Sequence, residues 1–209
     1  MIGVIDYQTG NSMSVSYALR HLGVEHRVVS SPRECADIDR YVLPGVGSAE
    51  VTMESLRTEG WVDHLESRVL GDRLPFLGIC VGLQVLFEHS EEGDVACLGW
   101  LPGEVRAFRP DQGRVPHMGW NNVTRRERTH PFADALVDEG YFYFVNSYFA
   151  APTNARDIVG STDYQGEFAS IVARDNIVAT QFHVEKSGKL GLALLRKFAD
   201  LGQEQFVAQ

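Results

Sequence analysis

Only three cysteines occur in this 209-residue chain, and no two of them form a Cys-x-x-Cys pair. Cys35, Cys80 and Cys97 are odd in number and irregular in spacing, so neither a disulfide framework nor a zinc site is expected. Positive charge is scarce as well: 19 Lys and Arg stand against 28 Asp and Glu, for a formal net charge of −9. Nucleic-acid binders usually carry a basic footprint, so a polyanion is not expected as the main partner. The one basic cluster, Arg125-Arg126-Glu127-Arg128, is short and interrupted, and it reads as a solvated loop. No stretch approaches the ~18 consecutive apolar residues of a transmembrane helix. The run Met1-Ile2-Gly3-Val4-Ile5-Asp6 lacks the basic and long apolar segments of a signal peptide. A reducing cytoplasm is the expected setting, and no metal, cofactor, membrane or nucleic acid is expected. There is no internal repeat, low-complexity tract or linker. One domain over 1–209 is expected, long enough to bury roughly 70% of its unfolded surface without staples.

What is present is alternation of strand and helix. Ile2–Asp6 reads as a short buried strand, and Ser12–Leu22 as a helix with Val15, Leu19 and Leu22 on one face and Gly23 ending it. Strands follow at His26–Ser30 and Tyr41–Leu43, the latter stopped by Pro44-Gly45. Val51–Leu70 has helical spacing, Pro75–Ile79 reads as a strand, and a helix is expected from about Gly82 to Phe87. This pattern predicts a mainly parallel sheet covered on both faces. The second half is richer in strands, expected around 103–108, 122–124, 141–148, 158–161, 169–173 and 177–182. A closing helix is expected over Leu190–Leu201.

The most informative stretch is Pro75-Phe76-Leu77-Gly78-Ile79-Cys80-Val81-Gly82-Leu83-Gln84. An apolar strand runs into Cys80, a helix begins just beyond, and a glycine lies two positions away on each side. That is the pattern of a nucleophile elbow, in which small neighbours allow backbone segments to approach closely. The helix N-terminus that follows favours the thiolate, the form that attacks. The N–H of Val81 is placed to help bind an oxyanion. Free cysteines are among the most buried residue types, and Cys35 and Cys97 read as structural.

Gln181-Phe182-His183-Val184-Glu185-Lys186-Ser187 follows the last predicted strand. In extended chain, residues two apart point the same way, so His183 and Glu185 are expected to project together. Histidine can take and return the thiol proton, and a glutamate can fix its tautomer. Leu43-Pro44-Gly45-Val46-Gly47-Ser48 follows the third strand, and its two glycines allow backbone N–H groups to turn toward a developing anion. With Glu50 in place of the third glycine, it does not fit the dinucleotide-binding pattern Gly-x-Gly-x-x-Gly.

Gly-Ile-Cys-Val-Gly-Leu-Gln, Pro-Gly-Val-Gly and Gln-Phe-His-Val-Glu-Lys-Ser together resemble the class I (triad) glutamine amidotransferases, in order and in distance along the chain. Three further segments narrow the likeness to the glutaminase subunits of imidazole glycerol phosphate synthases. They are Asp6-Tyr7-Gln8-Thr9-Gly10-Asn11, Val115-Pro116-His117-Met118-Gly119-Trp120-Asn121 and Tyr143-Phe144-Val145-Asn146-Ser147-Tyr148. The resemblance implies a single three-layer α/β domain with a flavodoxin-like mixed sheet. It implies Cys80 as nucleophile, His183 as acid and base, Glu185 as orienter, and Gly45, Val46, Gly47 and Val81 as the oxyanion site. Gln84, Ser147 and Tyr148 would contact L-glutamine. Asn11, Met118, Trp120, Tyr143 and Lys186 would lie at the subunit interface and ammonia exit. The implied partner is a (β/α)8-barrel cyclase, joined in a heterodimer, that makes imidazole glycerol phosphate and aminoimidazole carboxamide ribotide. Gln8, Ser12, Asn146 and Val184 depart from the usual family pattern of Gly, Leu, His and Pro. Gln8 and Asn146 therefore leave the acceptor open. A surface-sugar paralogue, a pyridoxal phosphate synthase glutaminase and a non-catalytic scaffold are the alternatives.

Overall fold

The computed structural model describes residues 1–8, 11–126 and 130–207. Thr9 and Gly10 of the first family-like segment, and Glu127 and Arg128 of the basic cluster, lie outside the described residues. The first half contains β1 (Ile2–Ile5), α1 (Ser12–His21), β2 (His26–Val29), β3 (Arg40–Gly45), α2 (Ala49–Thr58), α3 (Trp61–Leu65), β4 (Phe76–Cys80) and α4 (Val81–Gln84). The second half adds β5 (His89–Ser90), β6 (Val95–Ala96), β7 (Gly103–Ala107), β8 (His117–Arg125), β9 (Glu139–Asn146), β10 (Tyr148–Pro152), β11 (Ile158–Asp163), β12 (Glu167–Arg174) and β13 (Ile177–Thr180). It closes with α5 (Gly188–Asp200) and α6 (Gln203–Val207), the last of which was not expected from the sequence.

The parallel strands run in the order β2-β1-β3-β4-β13. This is the flavodoxin-like order, and its chain reversal at β1 sends successive crossovers to opposite faces. Helix α1 packs with α5 on one face, and α2 and α3 cover the other. Strands buried on both faces must be apolar throughout, which is why β1, β4 and β13 are buried at every position. From β13 the sheet continues antiparallel through β12, β10 and β7, while β11 branches from β12 and leads to the β8–β9 hairpin. The whole is one α/β domain with a mixed sheet. Among the described residues, no helix is long and apolar enough to cross a membrane.

Four local expectations are corrected. Strand β3 does not stop at Leu43 but runs through Pro44 to Gly45. Its ladder to β1 ends at Val42, so the missing N–H of Pro44 interrupts nothing there, while β4 pairs with β3 as far as Cys80. The helix read over Val51–Leu70 begins at Ala49 and breaks at Gly60, which takes φ 75°, and its last stretch, Glu66–Gly71, is wound as a π-helix. The helix read to Phe87 is the single turn α4, because the carbonyls of Val85, Leu86 and Phe87 accept from Leu98, Leu101 and Gly99 instead of from the next turn. The strand read over Tyr141–Tyr148 is two strands: the chain leaves β8 at Asn146 and joins β7 at Tyr148.

Candidate active site

Three parallel strands end at one place. Gly45 at the end of β3 is paired with Cys80 at the end of β4, and β13 ends at Thr180 beside Ile79, just before Gln181 and His183. The carboxyl ends of parallel strands are where open α/β sheets bind ligands.

Cys80 sits at φ 57°, ψ −108°, a conformation that costs a non-glycine residue roughly 1–3 kcal/mol and persists only where packing holds it. The packing is backbone against backbone. A Cβ at Gly78 would lie 2.3 Å from the carbonyl oxygen of Gly82, and a Cβ at Gly82 would lie 2.0 Å from that of Leu43. The elbow is therefore clamped between β3 and its own strand. Its helix contributes less than expected: peptide dipoles add along a helix, and α4 is one turn long.

His183 is buried, and its Nδ1 lies 2.9 Å from Glu185 Oε1. The two meet for a different reason than strand alternation. Val184–Lys186 forms a 3-10 turn, and the Ser187 hydroxyl pins it by donating to the His183 carbonyl (2.6 Å) and accepting from the Tyr143 N–H (3.0 Å). Gly191 lets α5 close against this turn, where a Cβ would come within 2.1 Å of the Val184 carbonyl oxygen. Burial alone would strip the imidazole of its proton. The sulfur of Cys80 and the carboxylate of Glu185 outweigh it, through hydrogen bonding and charge, and raise the pKa of His183 to about 10. Asn11 donates to the same Glu185 oxygen at 3.0 Å, so its side chain serves the carboxylate rather than capping α1.

Beside Cys80 lies a cavity of about 260 Å³, lined by Gly47, Val81, Gln84, Asn146, Ser147 and Tyr148 among others. Ser147 and Tyr148 reach it because the chain changes strand partners there. Gln84 Nε2 donates to the carbonyl of Tyr148 at 3.0 Å and to Gln181 Oε1 at 3.2 Å. With both hydrogens engaged, Gln84 has its carbonyl oxygen left to offer the cavity. Asn146 Nδ2 donates to the same Tyr148 carbonyl at 3.0 Å, so this departure from the family pattern is tied into the cavity wall. Gln8, the other departure, takes φ 70°, a conformation for which the usual glycine is suited, and its side chain donates to Glu59.

The loop after β3 borders the same cavity. Gly47 has φ 101°, Val46 is exposed, and Ser48 caps α2 by accepting from the Val51 N–H. Glu92, which sequence reasoning missed, lines the cavity and accepts from the Ala49 N–H at 2.8 Å. Burial raises its pKa. It stands in the acidic run Glu91-Glu92-Gly93-Asp94, where nothing in the local pattern separates it from a solvated carboxylate. Of the other thiols, Cys35 is buried with its pKa raised, and burial pushes Cys97 up to about 11. Among the described residues, no cluster of His, Cys, Asp and Glu could hold a metal ion.

Of the residues expected at an interface, Met118 and Trp120 are 62% and 56% exposed, and Lys186 is exposed. Trp120 meets half-buried Tyr143 edge to face, at 6.0 Å between ring centroids. With Tyr141 they form an apolar patch on the outer face of β8 and β9, next to the turn that carries Glu185. Asn11 is set deeper, on the carboxylate itself.

Residues 3–200 match the family model "Glutamine amidotransferase class-I". The chain is 43% identical over 199 residues to "Imidazole glycerol phosphate synthase subunit HisH" of Dehalococcoides mccartyi strain CBDB1, covering 95% of this chain and 96% of that one. It is 46% identical over 207 residues to the protein of the same name from Thiobacillus denitrificans, covering 94% and 90%. Among solved structures, "Crystal structure of glutamine amidotransferase" superposes with a TM-score of 0.74 at 18% identity, over 94% of this chain and 96% of that one.

Proposed function

Because the chain belongs to the class I glutamine amidotransferases, we propose that Cys80, His183 and Glu185 carry out its glutamine hydrolysis. The chain acts as the glutaminase subunit of an imidazole glycerol phosphate synthase, releasing ammonia from L-glutamine for histidine biosynthesis. The observation that carries the assignment of residues is the convergence at one set of strand ends. A strained cysteine opens on a cavity, beside a buried imidazole held by a carboxylate at 2.9 Å.

In the proposed course, the Cys80 thiolate attacks the side-chain carboxamide carbon of glutamine, and the carbonyl becomes a tetrahedral oxyanion. The N–H of Val81 and those of the Gly45–Gly47 segment receive that charge. Protonated His183 gives its proton to the leaving nitrogen, and ammonia departs from a glutamyl thioester. His183, now neutral, takes a proton from water, whose oxygen attacks the thioester. Glutamate leaves, and the sulfur regains its starting state. Glu185 accepts from Nδ1–H throughout, so the other ring nitrogen does the transfer. The Gln84 carbonyl oxygen and Glu92 suit the donor groups of glutamine, its carboxamide NH2 and its α-ammonium, and the backbone of Ser147 and Tyr148 completes the wall.

The ammonia passes to a partner subunit. That partner is a (β/α)8-barrel cyclase in a heterodimer, and the Met118–Trp120–Tyr143 patch with Lys186 and Asn11 is its docking face and ammonia exit. Exposed aromatics beside a charged residue fit such an interface. A free thiol nucleophile also suits a reducing, cytoplasmic setting. The test is Cys80→Ala, assayed for glutamate release in the presence of the cyclase subunit. Loss of at least a thousandfold in kcat is expected, and unchanged glutamine hydrolysis would overturn the thioester route.

A further inference from the structure

Gln181 has no part in the triad, yet it is fully buried and its Nε2 lies 3.7 Å from the Cys80 sulfur. Which end of its amide faces the sulfur follows from the chemistry of its neighbours. The carbonyl of Tyr148 can only accept, so the Gln84 atom 3.0 Å from it is the amide nitrogen. That same nitrogen lies 3.2 Å from Gln181, and the atom it meets there must accept, so it is Oε1. The Gln181 NH2 is thereby turned onto the sulfur. The orientation is fixed by a backbone oxygen, not by a choice between two similar amide ends. Besides His183, the sulfur also meets the carbonyl of Val145 at 3.9 Å, which can serve only a thiol that still holds its proton.

We propose that Gln181 is a thiolate-stabilising residue: its side-chain N–H donates to the Cys80 sulfur once the thiol proton has passed to His183, while the Val145 carbonyl can accept only from the sulfur that still holds its proton. This inference rests on Cys80 being the nucleophile. The same bond ties the nucleophile to the cavity wall through Gln84, so the sulfur is held in register with the residue that meets the substrate. A donor of this kind takes over work expected of the helix dipole, which one turn of α4 supplies weakly.

The experiment uses the chain together with its cyclase subunit. Gln181→Met keeps length and burial but removes the donor; Gln181→Glu keeps shape but offers a carboxylate. The rate of Cys80 alkylation by iodoacetamide, read on the Cys80 peptide by mass spectrometry, is followed from pH 5 to 10. A hydrogen bond to a charged group carries enough energy to move the titration midpoint up by about one unit and to lower kcat roughly tenfold in Gln181→Met. The KM for glutamine is expected to change less than threefold. Gln181→Glu, which places like charge beside the sulfur, is expected to be worse than Gln181→Met. If Gln181 only fills space, both variants lose thermal stability while the midpoint stays in place, and the proposal fails. Cys80→Ala separates the two readings: if it abolishes hydrolysis while Gln181→Met leaves the midpoint unmoved, only the role of Gln181 is lost. Hydrolysis that survives Cys80→Ala removes both.

Discussion

Replacing Gly82 with alanine tests the clamp that strains Cys80. The added methyl would sit 2.0 Å from the carbonyl oxygen of Leu43, well inside ordinary van der Waals contact, which begins near 3.4 Å. The obstacle is strand backbone, which cannot rotate away as a side chain can. Relief requires β3 and the elbow to part by about an ångström, against the ladder that pairs Gly45 with Cys80. Overpacking of this kind costs about 3 kcal/mol, the upper end of its usual range. For a chain of this length that is a fall in Tm of about 6–12 °C. A one-ångström shift of the sulfur and of the Val81 N–H is also expected to lower kcat/KM by about a hundredfold. Gly99→Ala is the control. It has open space around it and φ 67°, so only backbone conformation is penalised, by about 1 kcal/mol, with hydrolysis unchanged. Differential scanning calorimetry and a coupled glutamate assay with the cyclase subunit measure both effects. A Gly82→Ala chain no less stable than Gly99→Ala, and within twofold of wild-type activity, would refute the steric argument.

Two further outcomes follow from buried titratable groups. Glu185→Gln preserves shape but presents His183 Nδ1 with an amide that can donate, which favours the wrong tautomer; kcat is expected to fall ~10²–10⁴-fold with KM within a few-fold, and a fall of less than threefold would exclude the orienting role. Burial lowers the pKa of His117, His130 and His64 from the ordinary value of 6.5. Below that value the unfolded chain takes up protons that these folded histidines refuse, so stability must fall as pH drops, by at most ~1.4 kcal/mol per pH unit for each histidine. The raised pKa of His183 acts between about 6.5 and 10 and opposes this slope only above about pH 6.5, and the raised pKa of Glu92 opposes it in part. Urea denaturation at about pH 6 and about pH 5, both below the His183 window, is expected to give lower stability at the lower pH, with a shallower slope in His130→Gln; flat or rising stability toward about pH 5 would contradict it.

The sequence by itself determined the alternation of strands and helices along the parallel core and pointed to the candidate chemistry-bearing residues at its ends. Buried strands must be apolar throughout, and glycines at 78 and 82 mark a close approach, so both leave traces in the local pattern. Cys80, His183 and Glu185 stood out because their residue types and chain order match a known reaction class. What only the tertiary structure decided depends on groups brought together from afar. Glu92 is one carboxylate in an acidic run until the β3–α2 loop folds over it. Gln181 is an ordinary strand-end amide until Gln84 and Tyr148, 97 and 33 residues away in sequence, fix which of its atoms faces the sulfur. The local pattern also misjudged how His183 finds Glu185, assigning to strand alternation what a 3-10 turn held by Ser187 achieves. Hydrogen-bond direction is set by the partners present at each atom, and a linear pattern does not say who those partners are.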